Sequence, residues 1–398
     1  MSFVSGNIFM RTERTVRLRF VESSSANRLN LELQVGRNGP VTMEIAAEGA
    51  TLRPNGDSLF AFGFLPACEL KYDLRIEGEV SGELLARAGE IFQLYARWYG
   101  YQRQPKIHAP ESTFSRAAGA GRTLLFFSGG VDSCYSLVEA RAQLHALVTI
   151  VGADLRPENR EGAEWVAGLG RRFAQQFDLP SIIIHTAARR RFDRMVTWDH
   201  FHGPFLAGVA QMLAPEYARS LIASNYGGAG LTMPWGTHPD HEPRYSTAAM
   251  QVEHHLPQTR IVKIRRLWEA GLVKDLRVCI RPVGETNCGV CVKCIYLRFA
   301  LQLLGGPTAV AQGAFARTDR DNFHMINQGS VEFWMGLREL AVERGNHALA
   351  ERIRGVYEAF ELRRTRPRPW LRLPSKAVVK RTKRRVRAWA GTLFRHYH

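Results

Sequence analysis

The chain has 398 residues, 45% of them hydrophobic, six cysteines and a formal net charge of +17. That length admits two or three domains with a substantial core, and the hydrophobic content is that of a globular protein. Residues 1–20 mix Arg and Glu without a long apolar run, and no later segment reaches ~18 uninterrupted apolar residues, so neither a signal peptide nor a spanning helix is expected and the reading is cytoplasmic.

The charge is local. Thirteen Lys and Arg lie between Arg363 and His398, where there is no acidic residue, which leaves only +4 for the rest of the chain. Basicity therefore belongs to a tail, not to the body. Six cysteines in a chain this size do not form a disulfide framework, and four of them fall close together.

Residues 1–105 read as a β-rich N-terminal domain. Thr15–Val21, Leu29–Val35, Val41–Ala47, Leu59–Phe64 and Tyr72–Gly78 are short alternating runs separated by turn residues such as Gly36-Arg37-Asn38-Gly39-Pro40. A helix is expected from Gly82 to Trp98, with Leu84, Leu85, Ala88, Ile91, Phe92 and Tyr95 on one side. The domain shows no catalytic constellation. Cys68 reads as a core residue of the fourth or fifth strand. Tyr95, Trp98, Tyr99 and Tyr101 pack this domain onto the next or, alternatively, bind a base or sugar. Residues 102–121, rich in Pro, Ser, Ala and Gly, form the linker.

An α/β core is expected over 122–275. The apolar run Thr123 to Phe127 is a buried strand, and Cys134 to Ala140 begins a helix. Between them lies Ser128-Gly129-Gly130-Val131-Asp132-Ser133. Adjacent glycines let the backbone turn tightly and bring N–H groups to an anion, and the helix N-terminus adds partial positive charge. The hydroxyls of Ser128 and Ser133 can donate to phosphate oxygens. Asp132 is a poor phosphate ligand alone, which points to magnesium between the carboxylate and the phosphates. The alternative is an ordinary capped strand–helix turn.

Strands at Ala146–Gly152, Ser181–His185 and Ser220–Ser224 alternate with helices at Glu164–Phe177 and His202–Leu213. This is the pattern of a doubly wound parallel sheet, whose ligands sit at the carboxyl ends of the strands. Asp154 and Asn225 fall at such ends, as ribose or adenine and substrate contacts respectively, or simply as turn residues. Residues 226–259 form a long polar insertion that reads as an active-site lid, and its His238-x-Asp240-His241 group is a weaker metal candidate. Arg260 and Lys263 precede a helix expected at Ile264–Leu272.

Cys279-x8-Cys288-x2-Cys291-x2-Cys294 is the second strong signal. Four thiolates at this spacing suit tetrahedral zinc, with an iron–sulfur cluster as the alternative. Four sulfurs close the coordination sphere, so the site reads as structural. Residues 276–362 carry this site and helices at Val292–Leu304, which packs the zinc unit onto the core, and at Val331–Arg344 and Ala348–Leu362, which cover the sheet or form a homodimer surface. The tail, 363–398, reads as a basic amphipathic segment for an anionic membrane surface or nucleic acid, or else as a solvated coil.

The string Ser128 to Ser133 resembles the PP-loop of the ATP pyrophosphatase superfamily, which includes GMP synthetase, NAD synthetase, asparagine synthetase, tRNA-thiolating enzymes and 7-cyano-7-deazaguanine synthase. No Walker A string occurs in the chain. With the four cysteines following the core, residues 122–305 are similar in layout to the 7-cyano-7-deazaguanine synthase family, although Val131 stands where those synthases carry Gln. The resemblance implies cleavage of ATP between its α- and β-phosphates, transfer of AMP to a carboxylate or carbonyl oxygen, and displacement of AMP by ammonia or an amine. It implies ATP, Mg2+ and Zn2+ as cofactors, a small carboxylate or modified base as substrate, and Lys263 near the departing pyrophosphate. Modification of RNA or another macromolecule, and a non-catalytic nucleotide-binding module, are the alternative readings.

Overall fold

A computed structural model describes residues 14–21, 25–112, 121–153, 159–214, 216–279, 285–312, 315–325 and 327–365. The expectations placed on Asp154 and on the basic tail beyond Thr365 lie outside the described residues.

In chain order the elements are β1 (Thr15–Val21), β2 (Arg28–Val35), β3 (Val41–Glu48), α1 (Gly56–Leu70), β4 (Asp73–Glu77), β5 (Val80–Ser81), α2 (Gly82–Tyr99), β6 (Ile107–His108) and β7 (Glu111–Ser112). There follow β8 (Thr123–Phe126), α3 (Val131–Ala140), β9 (Ala146–Val151), α4 (Arg160–Gln176), β10 (Ser181–Thr186), α5 (Arg189–Phe192), α6 (Trp198–Met212), β11 (Arg219–Ala223), β12 (Gln251–His255) and α7 (Arg260–Glu269). The last elements among the described residues are α8 (Val292–Gln312), α9 (Gln328–Glu343) and α10 (His347–Thr365).

The architecture is α/β. One ten-stranded sheet runs in the order β12-β11-β8-β9-β10-β3-β2-β1-β4-β6. From β12 to β10 all neighbours are parallel, with Leu125 opposite Leu221 on one side and Leu147 on the other. β10, β3, β2 and β1 then pair antiparallel, and β4 and β6 are parallel to β1. The N-terminal strands are thus bonded directly onto the parallel strands, with Ile184 opposite Ala47.

Side-chain alternation along β8 divides the interior. Leu124 and Phe126 enter an apolar core shared with α1, α6 and the N-terminal strands. Leu125 and Phe127 enter a second core on the opposite face, with α3, α7, α8, α9 and α10. A strand apolar at every position is what a sheet covered on both faces requires.

The strand expected at Leu59–Phe64 is instead the middle of α1, and Cys68 lies on the same helix. Asn55 caps it by accepting from Ser58 N at 2.8 Å. Residues Gly56 to Cys68 are all buried, so the helix has no polar stripe to reveal its period. Gly208 of α6 faces Phe62, where a Cβ would overlap the ring, so α1 and α6 approach closely only with glycine there.

The 226–259 segment also departs from expectation. It is packed into the fold, with His241, Glu242, Tyr245 and Met250 fully buried, and it ends in β12, which adds an edge strand beside β11. Burial by its neighbours turns a polar-looking insertion into structure. Trp98 meets His238 of this segment edge-on at 4.8 Å and Tyr99 stacks on His200 of α6 at 3.9 Å, so the aromatic end of α2 packs against both.

Candidate functional site

The glycine loop leaves β8 at the carboxyl edge of the parallel strands. Gly129 has φ +71, a left-handed conformation, and a Cβ there would overlap Leu169 Cδ2. Glycine is the residue that meets both demands. Gly130 caps α3 with no side-chain bond to the first-turn amides. Within the loop, Ser133 Oγ accepts from Ser128 N and donates to Gly130 O, each at 3.2 Å, while Ser128 Oγ accepts from Gly130 N at 3.3 Å. The serines therefore brace the loop. Val131 is buried in the second core.

Asp132 stands in the first turn of α3 and is met by two cations from α7. Lys263 Nζ donates to Oδ1 at 2.9 Å, and Arg260 Nη2 donates to Oδ2 at 2.9 Å. Both cations lie in the first turns of α7, which starts at Arg260, four residues before the expected helix. The Lys263 side chain is 1% exposed. Burial pushes its ammonium below the usual lysine value, and the attraction of Asp132 opposes that shift. Lys263 Nζ also donates to Ser224 O at 2.5 Å, which ties the end of β11 to the same centre. The Arg260 guanidinium lies over the Phe333 ring at 4.6 Å, a cation–π contact that steadies its aim.

Behind Ser224 runs a buried polar chain. Ser224 Oγ donates to Tyr226 O at 2.6 Å, so His254 Nε2, 2.7 Å away, is the donor to that oxygen. His254 Nδ1 lies 3.2 Å from Glu242 Oε1, and the other oxygen of Glu242 accepts from His238 N at 2.6 Å. Asn225 Nδ2 donates to Thr237 Oγ1 at 3.1 Å, and no bond joins it to the loop among those described.

The four cysteines of the second signal come together. Their sulfurs all lie within 4.8 Å of one another, the only such grouping of His, Cys, Asp or Glu among the described residues. The Cys279–Cys291 and Cys288–Cys294 sulfurs are 3.9 Å apart, and Cys291–Cys294 are 3.4 Å apart. Four thiolates ~2.3 Å from one tetrahedral ion stand ~3.8 Å apart, so the cluster fits a single ion such as zinc. The hydrogen bond between Cys291 and Cys294 pulls the one thiol below its ordinary value and pushes the other above it, as two thiols sharing one proton do. Gly289, at φ +79, makes the turn between the paired cysteines, where a Cβ would overlap Arg317 O. Arg298 locks this turn, donating to the carbonyls of Gly289, Arg320 and Thr318 at 3.1, 3.0 and 2.7 Å.

No family model, no curated protein and no solved structure matches the chain.

Several residues of the two centres carry no signal in the sequence. Glu242 and His254 lie in the segment read as a lid, and their pairing depends on β12 lying beside β11. Arg277 and Asn287 flank the first two cysteines without belonging to any motif. Arg260 and Lys263 are visible as basic residues, but a lysine in a sequence does not announce that it is buried. No helix among the described residues is long and apolar enough to cross a membrane.

Proposed function

We propose that this protein is an AMP-forming, ATP-dependent ligase of the PP-loop type, acting on a carboxylate with ammonia or an amine as the second substrate. One observation carries the reading. The acidic residue of the glycine loop and two cations from a distant helix converge at the carboxyl edge of β8 and β11. That combination is what phosphoryl chemistry on ATP demands: N–H groups and positive charge for the departing pyrophosphate, and a carboxylate for the metal.

In the proposed reaction a substrate carboxylate oxygen attacks the α-phosphorus of ATP. The bond from that phosphorus to the bridging oxygen breaks, and pyrophosphate leaves with the electron pair. An amine nitrogen then attacks the acyl carbon, AMP leaves on its oxygen, and the nitrogen loses a proton. The amides of Gly129 and Gly130 would hold the pyrophosphate. Lys263 and Arg260 would stabilise the charge that develops on it. Magnesium, for which Asp132 is the carboxylate at the loop, supplies charge neutralisation on the phosphates. Cys279, Cys288, Cys291 and Cys294 would hold zinc with all four positions filled by sulfur, and the ion would then serve the fold.

The test is product analysis. Labelled ATP is incubated with a panel of small carboxylates, including 7-carboxy-7-deazaguanine, with and without ammonium, and then with tRNA. Equal release of AMP and pyrophosphate with one acceptor is the expected result. ADP and phosphate, or no turnover with any acceptor, would overturn the ligase assignment.

A further inference from the structure

The cysteine cluster and the glycine loop are joined by a short, fully bonded bridge. Arg277 N donates to Gly129 O at 2.7 Å, and Arg277 Nη1 donates to Ser128 O at 3.0 Å. One residue thus holds two successive carbonyls of the loop. In a planar trans peptide the C=O and the following N–H point in opposite directions. Fixing the carbonyls of Ser128 and Gly129 on Arg277 therefore turns the amides of Gly129 and Gly130 away from it, and that of Gly130 meets Ser128 Oγ at 3.3 Å.

Cys279 lies two residues beyond Arg277, and Asn287 clasps the segment between. Asn287 is 2% exposed. Its Oδ1 accepts from Val278 N at 2.9 Å and from Cys279 N at 3.0 Å, and its Nδ2 donates to Leu276 O at 2.7 Å. The next residue is Cys288. An ion that fixes Cys279 and Cys288 fixes Asn287 between them, and through it residues 276–279 and the two carbonyl contacts of Arg277.

We propose that Asn287 and Arg277 are positioning residues that link the metal state of the cysteine cluster to the shape of the glycine loop, so that metal binding and phosphate binding strengthen each other. The phosphate half rests on the reading of the loop given above, whereas the link from metal to loop conformation does not. Linkage is reciprocal, so each ligand raises the affinity of the other by the same factor.

The experiment uses the full chain, zinc-loaded and chelator-stripped, with N287A and R277M. R277M keeps the backbone bond to Gly129 and touches no cysteine, so it stands if N287A fails to fold. Three quantities are measured: zinc content, amide hydrogen exchange at residues 128–133, and pyrophosphate affinity by calorimetry. Stripping, N287A and R277M should each speed exchange at 128–133, and pyrophosphate should bind about tenfold more weakly, within the usual range of coupling between sites. Both variants should keep zinc at the loaded pH. Zinc-replete variants with wild-type exchange and wild-type pyrophosphate affinity would overturn the proposal. Faster exchange in the variants, in a protein whose zinc-loaded wild type binds no pyrophosphate, would uphold the metal-to-loop link and overturn the phosphate reading of the loop.

Discussion

Lys263 Nζ and Asp132 Oδ1 are 2.9 Å apart although 131 positions separate them in the chain. The lysine comes from α7, the aspartate from α3, and the pair sits where the glycine loop turns. A lysine this deeply buried is held by what it bonds, here the carboxylate and the Ser224 carbonyl.

Substituting either partner should be costly in a specific way. Lys263→Met removes one cation from Asp132 and leaves the Ser224 carbonyl without its donor. Breaking a buried pair costs about 3–5 kcal/mol in stability. If the ligase reading holds, AMP formation should also fall by about 100-fold or more, as when one transition-state donor is removed. Denaturant unfolding and product release measured on the same preparation separate the two effects. A variant of unchanged stability would contradict the buried pairing.

Gly129→Ala tests the loop. The end of Leu169 can swing away from a new methyl, but the backbone at φ +71 cannot relax without reshaping the turn. The left-handed conformation costs a non-glycine residue roughly 1–2 kcal/mol. The double variant Gly129→Ala with Leu169→Ala should therefore recover little of the loss. Full recovery in thermal unfolding would assign the cost to the side-chain clash instead.

Acid stability should carry the mark of His241. Its Nδ1–H is committed to Gly236 O at 3.0 Å, so Nε2 accepts from Tyr95 Oη at 2.6 Å, and the ring is held neutral. Burial, outweighing the attraction of Glu242, brings its pKa from 6.5 down to about 4. Between those values the unfolded chain binds a proton that the folded chain refuses, so stability falls as pH drops from 6.5 toward 4. The contribution lost is about 3 kcal/mol at the acid end, from 1.36 kcal/mol for each pKa unit. His241→Gln should reduce the slope of unfolding free energy against pH in this window. An unchanged slope would refute the assignment.

Metal removal should act on the fold. Cys291→Ser leaves three thiolates, weakens zinc retention, and should lower the melting temperature by several degrees, because structural zinc binding contributes folding free energy. Elemental analysis should find one zinc per wild-type chain and clearly less in the variant. A wild-type chain that is metal-free and equally stable would exclude the structural role.

The strand, glycine loop and helix over 123–140 were legible because an all-apolar run, two glycines and a capped helix start are local features. The gathering of the four cysteines was legible for the same reason, since two-residue spacings bring sulfurs together through a single turn. Leu59–Phe64 was misread because α1 is apolar on every side and shows no helical period. β12 was missed because Gln251-Val252-Glu253-His254-His255 has no strand-like apolar pattern; it is a strand because β11 offers it a free edge.

The sequence by itself determined the alternation of strands and helices from β8 to β11, a tight glycine turn after β8, and a cluster of four cysteines at 279–294, since each follows from residues near one another in the chain. Tertiary structure alone decided that β3 bonds to β10, that Glu242 and His254 meet, that Arg260 and Lys263 close on Asp132, and that Arg277 bonds the carbonyls of the loop. Those contacts join residues whose side chains carry no record of their partners. Burial and hydrogen-bond satisfaction across the whole fold select them, and both are properties of the packed chain.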